Sequence, residues 1–236
     1  MTPFLGELIG TALLILLGDG VVANVVLKDT KGSNSGWIVI TFGWAMAVFV
    51  GVFVAAGMSG AHLNPAVTIA LAIAGKFDWP SVPLYMVAQM TGAALGAFLV
   101  WVQYKSHFDN TEGKSVKLAV FCTSPQIRST LWNFLSEVIG TFVLVFGVLF
   151  MASPAVGLGA VSALPVALLV FAIGLSLGGT TGYAINPARD LAPRLVHHLL
   201  PIPNKRDSNW GYAWIAVVGP IVGGMIAALV YMALRS

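Results

Sequence analysis

Cysteine is nearly absent from this chain, and charge is scarce. The single Cys122 excludes an internal disulfide and any site built on cysteine ligands. Only 9% of the 236 residues are charged, where a soluble domain carries about a quarter. The formal charge of +3 comes mostly from connections and the end of the chain, and no basic stripe interleaves with aromatics, so no nucleic-acid partner is expected. No nucleophile stands beside a base, and neither a metal cluster nor a phosphate loop is present. No enzyme, cofactor or metal site is therefore expected.

What the chain has in quantity is apolar surface, 58% of all residues. Six runs, at 4–27, 37–56, 82–104, 131–152, 158–177 and 211–234, each approach the roughly 20 residues that a spanning helix needs. The expectation is an all-α, multi-pass membrane protein with the lipid bilayer as its surroundings. The first run starts beside the initial methionine without a basic leader and is too long for a signal core, so it reads as a retained helix. The longest polar connection, 105–129, reads as a solvated loop rather than a partner site.

The chain repeats itself. "FLGELIGT" at 4–11 returns as "FLSEVIGT" at 134–141, with six of eight positions identical. "HLNPAV" around Asn64 matches "AINPAR" around Asn186, and "TGAALGA" with Gly92 and Gly96 matches "VGPIVGG" with Gly219 and Gly223. Three landmarks in the same order at nearly constant spacing define a single domain over 1–236, with repeat one at 1–105, a connection at 106–128 and repeat two at 129–236. Three spans per half make the second copy enter the membrane from the opposite side. Inverted repeats of this kind place a shared site near the midplane, where broken helices meet.

The breaks are the two Asn-Pro-Ala elements, Asn64, Pro65, Ala66 and Asn186, Pro187, Ala188. About ten apolar residues follow Pro65 before Gly75, too few to span the bilayer. Proline suits the first helical position and asparagine the cap before it, so Asn64 and Asn186 are expected to cap two half-helices, the second at 187–195. The segments before them carry Gly60 and Gly182. Such non-helical backbone at membrane depth is tolerated only where it is buried in protein or lines a cavity.

From Glu7 to the Gly-x-x-x-Gly of the last span, this pattern resembles the aquaporin and glycerol-facilitator superfamily, the major intrinsic proteins. The resemblance implies six membrane helices and two half-helices, a homotetramer, and one pore per subunit conducting glycerol and other small uncharged solutes with water. Asn64 and Asn186 would donate to a permeating oxygen. The carbonyls of Gly60, Ala61, His62, Gly182, Tyr183 and Ala184 would form a ladder of acceptors, and Glu7 and Glu137 would hold each half-helix in place. Opposed helix dipoles would exclude protons and ions.

By the same resemblance four residues set selectivity: Trp44, twenty before Asn64; Gly174, twelve before Asn186; Tyr183; and Arg189. Water-selective members usually carry histidine where Gly174 stands, and glycine leaves room for a larger solute. Trp44 and Tyr183 would wall the apolar side of a polyol opposite Arg189. Tyr183 departs from the common phenylalanine, and its hydroxyl would narrow and polarise the pore. Asp190 and Arg194 resemble markers of the glycerol-conducting subgroup and also fit a pair one helical turn apart. Ala216-Val217 departs from the proline and leucine often found there. Preference among glycerol, urea, dihydroxyacetone, lactic acid and water stays open, as do a channel mainly for water or protonated organic acids and an ion-coupled transporter.

Asp19, in "LLGDGVVAN", is expected to face the headgroup region, and His62 the vestibule; His197 and His198 suggest neither a metal site nor a sensor. The resemblance puts both termini in the cytoplasm. That leaves Lys28, Lys31, Lys105, Lys114, Lys117, Arg128, Lys205 and Arg206 outside and only Lys76 and Arg235 inside, against the rule that short cytoplasmic loops are the basic ones.

Overall fold

The computed structural model describes residues 2–151 and 157–235, and among them every regular element is helical. Six helices are long and apolar enough to cross a membrane. The first, α1 (Pro3–Val26), starts as its sequence dictates, with Pro3 in the first turn and the Thr2 hydroxyl accepting from the Leu5 N–H. Its 24 residues extend about 36 Å, enough for a hydrocarbon core of about 30 Å.

Next come α2 (Trp37–Ser59), the short α3 (Pro65–Ile73) and α4 (Val82–Gln103), which is preceded by a 3₁₀ turn. The second half contains α7 (Thr130–Phe150), α8 (Leu164–Ser176), the short α9 (Pro187–Leu199) and α10 (Trp210–Ala233). The expected fourth span ends at Ala152, which lies outside the described residues, as do Met1 and Ser236. The fifth span divides into a 3₁₀ turn, Gly159–Ala163, followed by α8.

The connection between halves departs from expectation. It is not a solvated loop: it folds into α5 (Lys105–Asn110) and α6 (Lys114–Phe121), and Phe108, Lys117, Leu118, Val120 and Phe121 are buried. Apolar residues spaced along α6 give it a face to bury, and Lys117 satisfies its ammonium by donating to the Pro203 carbonyl at 2.6 Å. Residues 105–123 thereby become a cap over one end of the bundle rather than a tether.

Polarity is arranged inside out. Ile38, Phe42, Val87, Trp132 and Leu229 are exposed, while Glu7, Asp19, Gln89, Glu137, Asp190 and Arg194 are buried. That distribution suits a protein whose surroundings are lipid and whose centre is polar.

Packing follows the repeat. α1 lies against α2 and α4, and α7 lies against α10 and α8. The half-helices cross over: α3 packs against α10 of the other half, and α9 against α4. Glycines permit the closest approaches. A Cβ added to Gly96 on α4 would sit 2.5 Å from the Ala12 carbonyl oxygen of α1, and one added to Gly223 on α10 would overlap the Val138 carbonyl of α7. In lipid, where no hydrophobic force draws helices together, such small-residue contacts supply the packing.

Gly96→Ile should therefore destabilise the fold by about 1–3 kcal/mol and lower the detergent melting temperature by several degrees. Gly20→Ala, where nothing lies within 4 Å of the added methyl, should leave it unchanged or raised. Equal melting of both variants would contradict the packing described.

Candidate conduction pathway

The half-helices begin as their sequences require. The Asn64 side-chain oxygen accepts from the Ala66 N–H at 2.9 Å, and that of Asn186 from Ala188 at 3.0 Å and Arg189 at 3.3 Å. α3 is only nine residues long and α9 thirteen, the latter reaching Leu199 rather than the expected 195. Both start at the centre of the molecule. There each asparagine amide crosses to the other half: Asn64 Nδ2 donates to the Ile185 carbonyl at 2.9 Å, and Asn186 Nδ2 to the Leu63 carbonyl at 2.8 Å. An amide nitrogen carries two hydrogens, so each asparagine keeps one further donor.

The segments leading to the caps are held in an unusual shape. Gly60, Ala61 and Leu63 have φ of 80°, 54° and 51°, and Gly182, Tyr183 and Ile185 repeat the pattern at 85°, 39° and 43°. Left-handed backbone at a non-glycine residue costs of order 1–3 kcal/mol and persists only where surrounding contacts impose it. Two buried carboxylates impose it here. Glu7 accepts from the N–H groups of His62 at 2.9 Å and Leu63 at 2.7 Å. Glu137 accepts from those of Ala184 and Ile185, both at 3.0 Å.

Carbonyl direction follows from this. Across a trans peptide the N–H of one residue and the C=O of the one before it point oppositely, and no described peptide bond is cis. With the N–H groups of His62 and Leu63 turned to Glu7, the carbonyls of Ala61 and His62 face away from it. The carbonyls of Tyr183 and Ala184 likewise face away from Glu137. Gly60, Ala61, His62, Tyr183 and Ala184 all border a central cavity of about 260 Å³.

Repeat one has extra bracing that the sequence did not reveal. Glu7 also accepts from the Ser59 hydroxyl at 2.6 Å and from Gln89 at 2.7 Å, and Gln89 donates to Thr68 at 2.9 Å. Gln89, a fully buried amide in an apolar span, was the available signal. His62 borders the central cavity, packs edgewise on Phe77 and against Tyr85, and contacts the Thr68 hydroxyl through Nδ1 at 3.1 Å.

At the capped end a second cavity, about 690 Å³, is lined in part by Cys122, Thr123 and Arg206. Among the described residues, Trp44, Tyr183 and Arg189 are the only ones that border both cavities. The Arg189 guanidinium lies over the Trp44 ring, 4.2 Å from its centre, and Nη1 donates to the Phe121 carbonyl at 3.3 Å.

Gly174 borders neither cavity. The room left by its missing side chain is filled: a Cβ there would lie 3.0 Å from both the Tyr183 hydroxyl and Thr41. Trp37 reinforces the seat, packing edgewise on Tyr183 and donating to the Gly174 carbonyl at 3.1 Å. The Tyr183 hydroxyl is buried and finds no hydrogen-bond partner among the described residues, so the phenol presents ring rather than hydroxyl to the passage.

Asp19 does not face the headgroup region. It is fully buried, with Oδ1 3.5 Å from Arg189 Nη1. Asp190 and Arg194 do form a pair one turn apart, fully buried and 2.7 Å from each other. Asp190 also accepts from Thr123 N–H and hydroxyl, while Arg194 donates to the carbonyls of Ser208, Asn209 and Thr123. This network ties the 105–123 cap and the 200–209 connection to the start of α9. His197 joins it through Ser208 at 2.8 Å, whereas His198 packs on Trp210.

Glu7→Ala strands two buried backbone donors at about 1–3 kcal/mol each. The variant should show a large fall in melting temperature and faster proteolysis between 57 and 64, whereas Glu7→Gln, which keeps an acceptor, should lose less. Identical losses in the two variants would contradict the acceptor role.

Comparison with known proteins agrees with this architecture. The chain matches the family "Major intrinsic protein" over residues 1–231. It is 55% identical to a probable glycerol uptake facilitator protein of Thermotoga maritima, covering 98% of each chain. It is 54% identical to the glycerol uptake facilitator protein of Bacillus subtilis, covering 99% of this chain and 85% of that one. Among solved structures, the aquaglyceroporin from Plasmodium falciparum superposes with a TM-score of 0.87 at 33% identity, covering 97% of this chain and 93% of that one. Six membrane helices, two half-helices capped head to head and a match along nearly the whole length make the chain a member of the major intrinsic protein family.

Proposed function

We propose that this protein is a passive channel for glycerol and other small uncharged solutes, with water, and that it excludes protons and ions. One observation carries the conclusion: among the described residues around the two cavities, only two aromatic rings and one arginine border both. That trio suits a polyol. The CH groups lie against Trp44 and Tyr183 while hydroxyl oxygens accept from Arg189. The names of relatives at 54–55% identity point to the same solute.

Beyond the constriction a hydroxyl donates to the carbonyls facing away from Glu7 and Glu137, and at the centre its oxygen accepts the free hydrogens of Asn64 and Asn186. The starts of α3 and α9 both direct positive dipole ends at that point, which opposes a cation or hydronium. Gly174 contributes to selectivity indirectly, as the seat that takes the Tyr183 hydroxyl and leaves the ring on the passage. Coupled transport needs a chain of titratable groups, and Glu7 and Glu137 are instead occupied by backbone and side-chain donors.

The channel belongs in the cell membrane as a homotetramer with one pore per subunit, each repeat contributing one half-helix. Both termini face the cytoplasm. The basic excess in the outer connections has structural uses that oppose reading it as a topology signal: Lys117 and Lys205 donate to backbone carbonyls, Arg128 to Asn209 and Arg206 to Ser115.

Purified protein in vesicles subjected to a glycerol gradient should reswell at least tenfold faster than empty vesicles in stopped-flow light scattering. Reswelling no faster than in empty vesicles would overturn the proposal.

A further inference from the structure

We propose that Asp19 is the fixed counter-charge of Arg189: it holds the guanidinium against Trp44 and cancels its charge, making the constriction electrically neutral. The inference rests on the reading of Trp44, Tyr183 and Arg189 as the constriction of a passive channel. Its consequence is a channel that discriminates against small anions as well as cations.

A carboxylate within a membrane span is costly and needs a partner. Glu7, Glu137 and Asp190 have theirs. Glu7 and Glu137 are bound by the backbone N–H groups before the caps. Asp190 spends Oδ1 on Arg194 and Oδ2 on Thr123. Asp19 alone is fully buried with neither carboxylate oxygen hydrogen-bonded among the described residues.

The cation Asp19 faces is Arg189, at 3.5 Å. Arg194, the other buried guanidinium, is saturated by Asp190 and three backbone carbonyls. Among the described residues the guanidinium of Arg189 has one hydrogen-bond acceptor, the Phe121 carbonyl, besides its contact with Asp19. With Glu7 and Glu137 bound by backbone N–H groups, Asp190 falls to Arg194 and Asp19 to Arg189.

The same turn of α1 shapes the apolar wall. A Cβ added to Gly18 would overlap the six-membered ring of Trp44, so the indole sits directly on the α1 backbone beside Asp19. One turn therefore positions the ring and the charge that bracket Arg189. Without Asp19 the constriction would carry a bare guanidinium, the arrangement found in pores that admit anions. Unit charges a few ångströms apart interact strongly at the effective dielectric of a protein, so removing one alters anion entry on the order of tenfold or more.

The test compares wild type, Asp19→Asn, Asp19→Glu and the pair Asp19→Asn with Arg189→Val. Nitrate conductance is read in planar bilayers and glycerol flux in vesicles of the same preparation. Asp19→Asn should raise the nitrate-to-glycerol ratio at least tenfold, Asp19→Glu should return it toward wild type, and the rise should vanish when Arg189 is also Val. A merely structural aspartate would not move an ion ratio.

An unchanged ratio in folded Asp19→Asn, or a rise that persists in the double variant, would overturn the inference. Should Asp19→Asn fail to fold, thermal melting decides: Arg189→Val leaves Asp19 a lone buried anion, so the double variant should melt higher than Arg189→Val alone. A double variant that melts no higher would overturn the pairing. If wild type itself passes no glycerol, the channel reading has failed instead.

Discussion

Two reciprocal hydrogen bonds hold the centre of this molecule, from the amide of Asn64 to Ile185 and from the amide of Asn186 to Leu63. Each joins the cap of one half-helix to the backbone that leads into the other, so neither half-helix can be placed without its partner. The crossed packing of α3 on α10 and α9 on α4 extends that dependence to the whole bundle. The asparagines serve three purposes with one side chain. The oxygen caps a helix, one hydrogen locks the opposite repeat, and the second is the one proposed to meet a solute.

The strained backbone before each cap is the other side of the same constraint. Alternating left-handed residues cannot persist alone, and Glu7 and Glu137 stabilise them by accepting the N–H groups that the strain exposes. Collecting donors on one side sends carbonyls to the other. An acidic residue hidden behind the wall thereby makes the wall an acceptor surface without adding charge to the passage. Asp19 and Arg189 apply the same logic to a cation: a donor is offered and its charge is balanced out of reach.

Much of this was legible in the sequence because it rests on local chemistry. Proline after asparagine sets a cap, Gly60 and Gly182 permit a turn, and apolar length sets a span; repetition of all three pointed to two inverted halves. What was not legible depends on apposition between distant segments. Asp19 on α1 and Arg189 at the start of α9 share no pattern in sequence, and nothing in "GDG" announces a buried partner. Gly174 looked like empty space because the residue that fills it, Tyr183, arrives from another element. The 105–129 connection looked solvated because its charges outnumber the few apolar positions that bury it, and Lys117 hides its charge on a carbonyl supplied far along the chain.

The central claim is that neutral hydroxylated solutes pass while protons do not, because donors and acceptors line the path and the positive ends of both half-helices meet at its centre. The direct measurement is internal pH and glycerol entry followed together in one vesicle preparation under an imposed membrane potential. The account predicts rapid glycerol equilibration with internal pH drifting no faster than in empty vesicles. A pH change that tracks glycerol entry or the potential would contradict it.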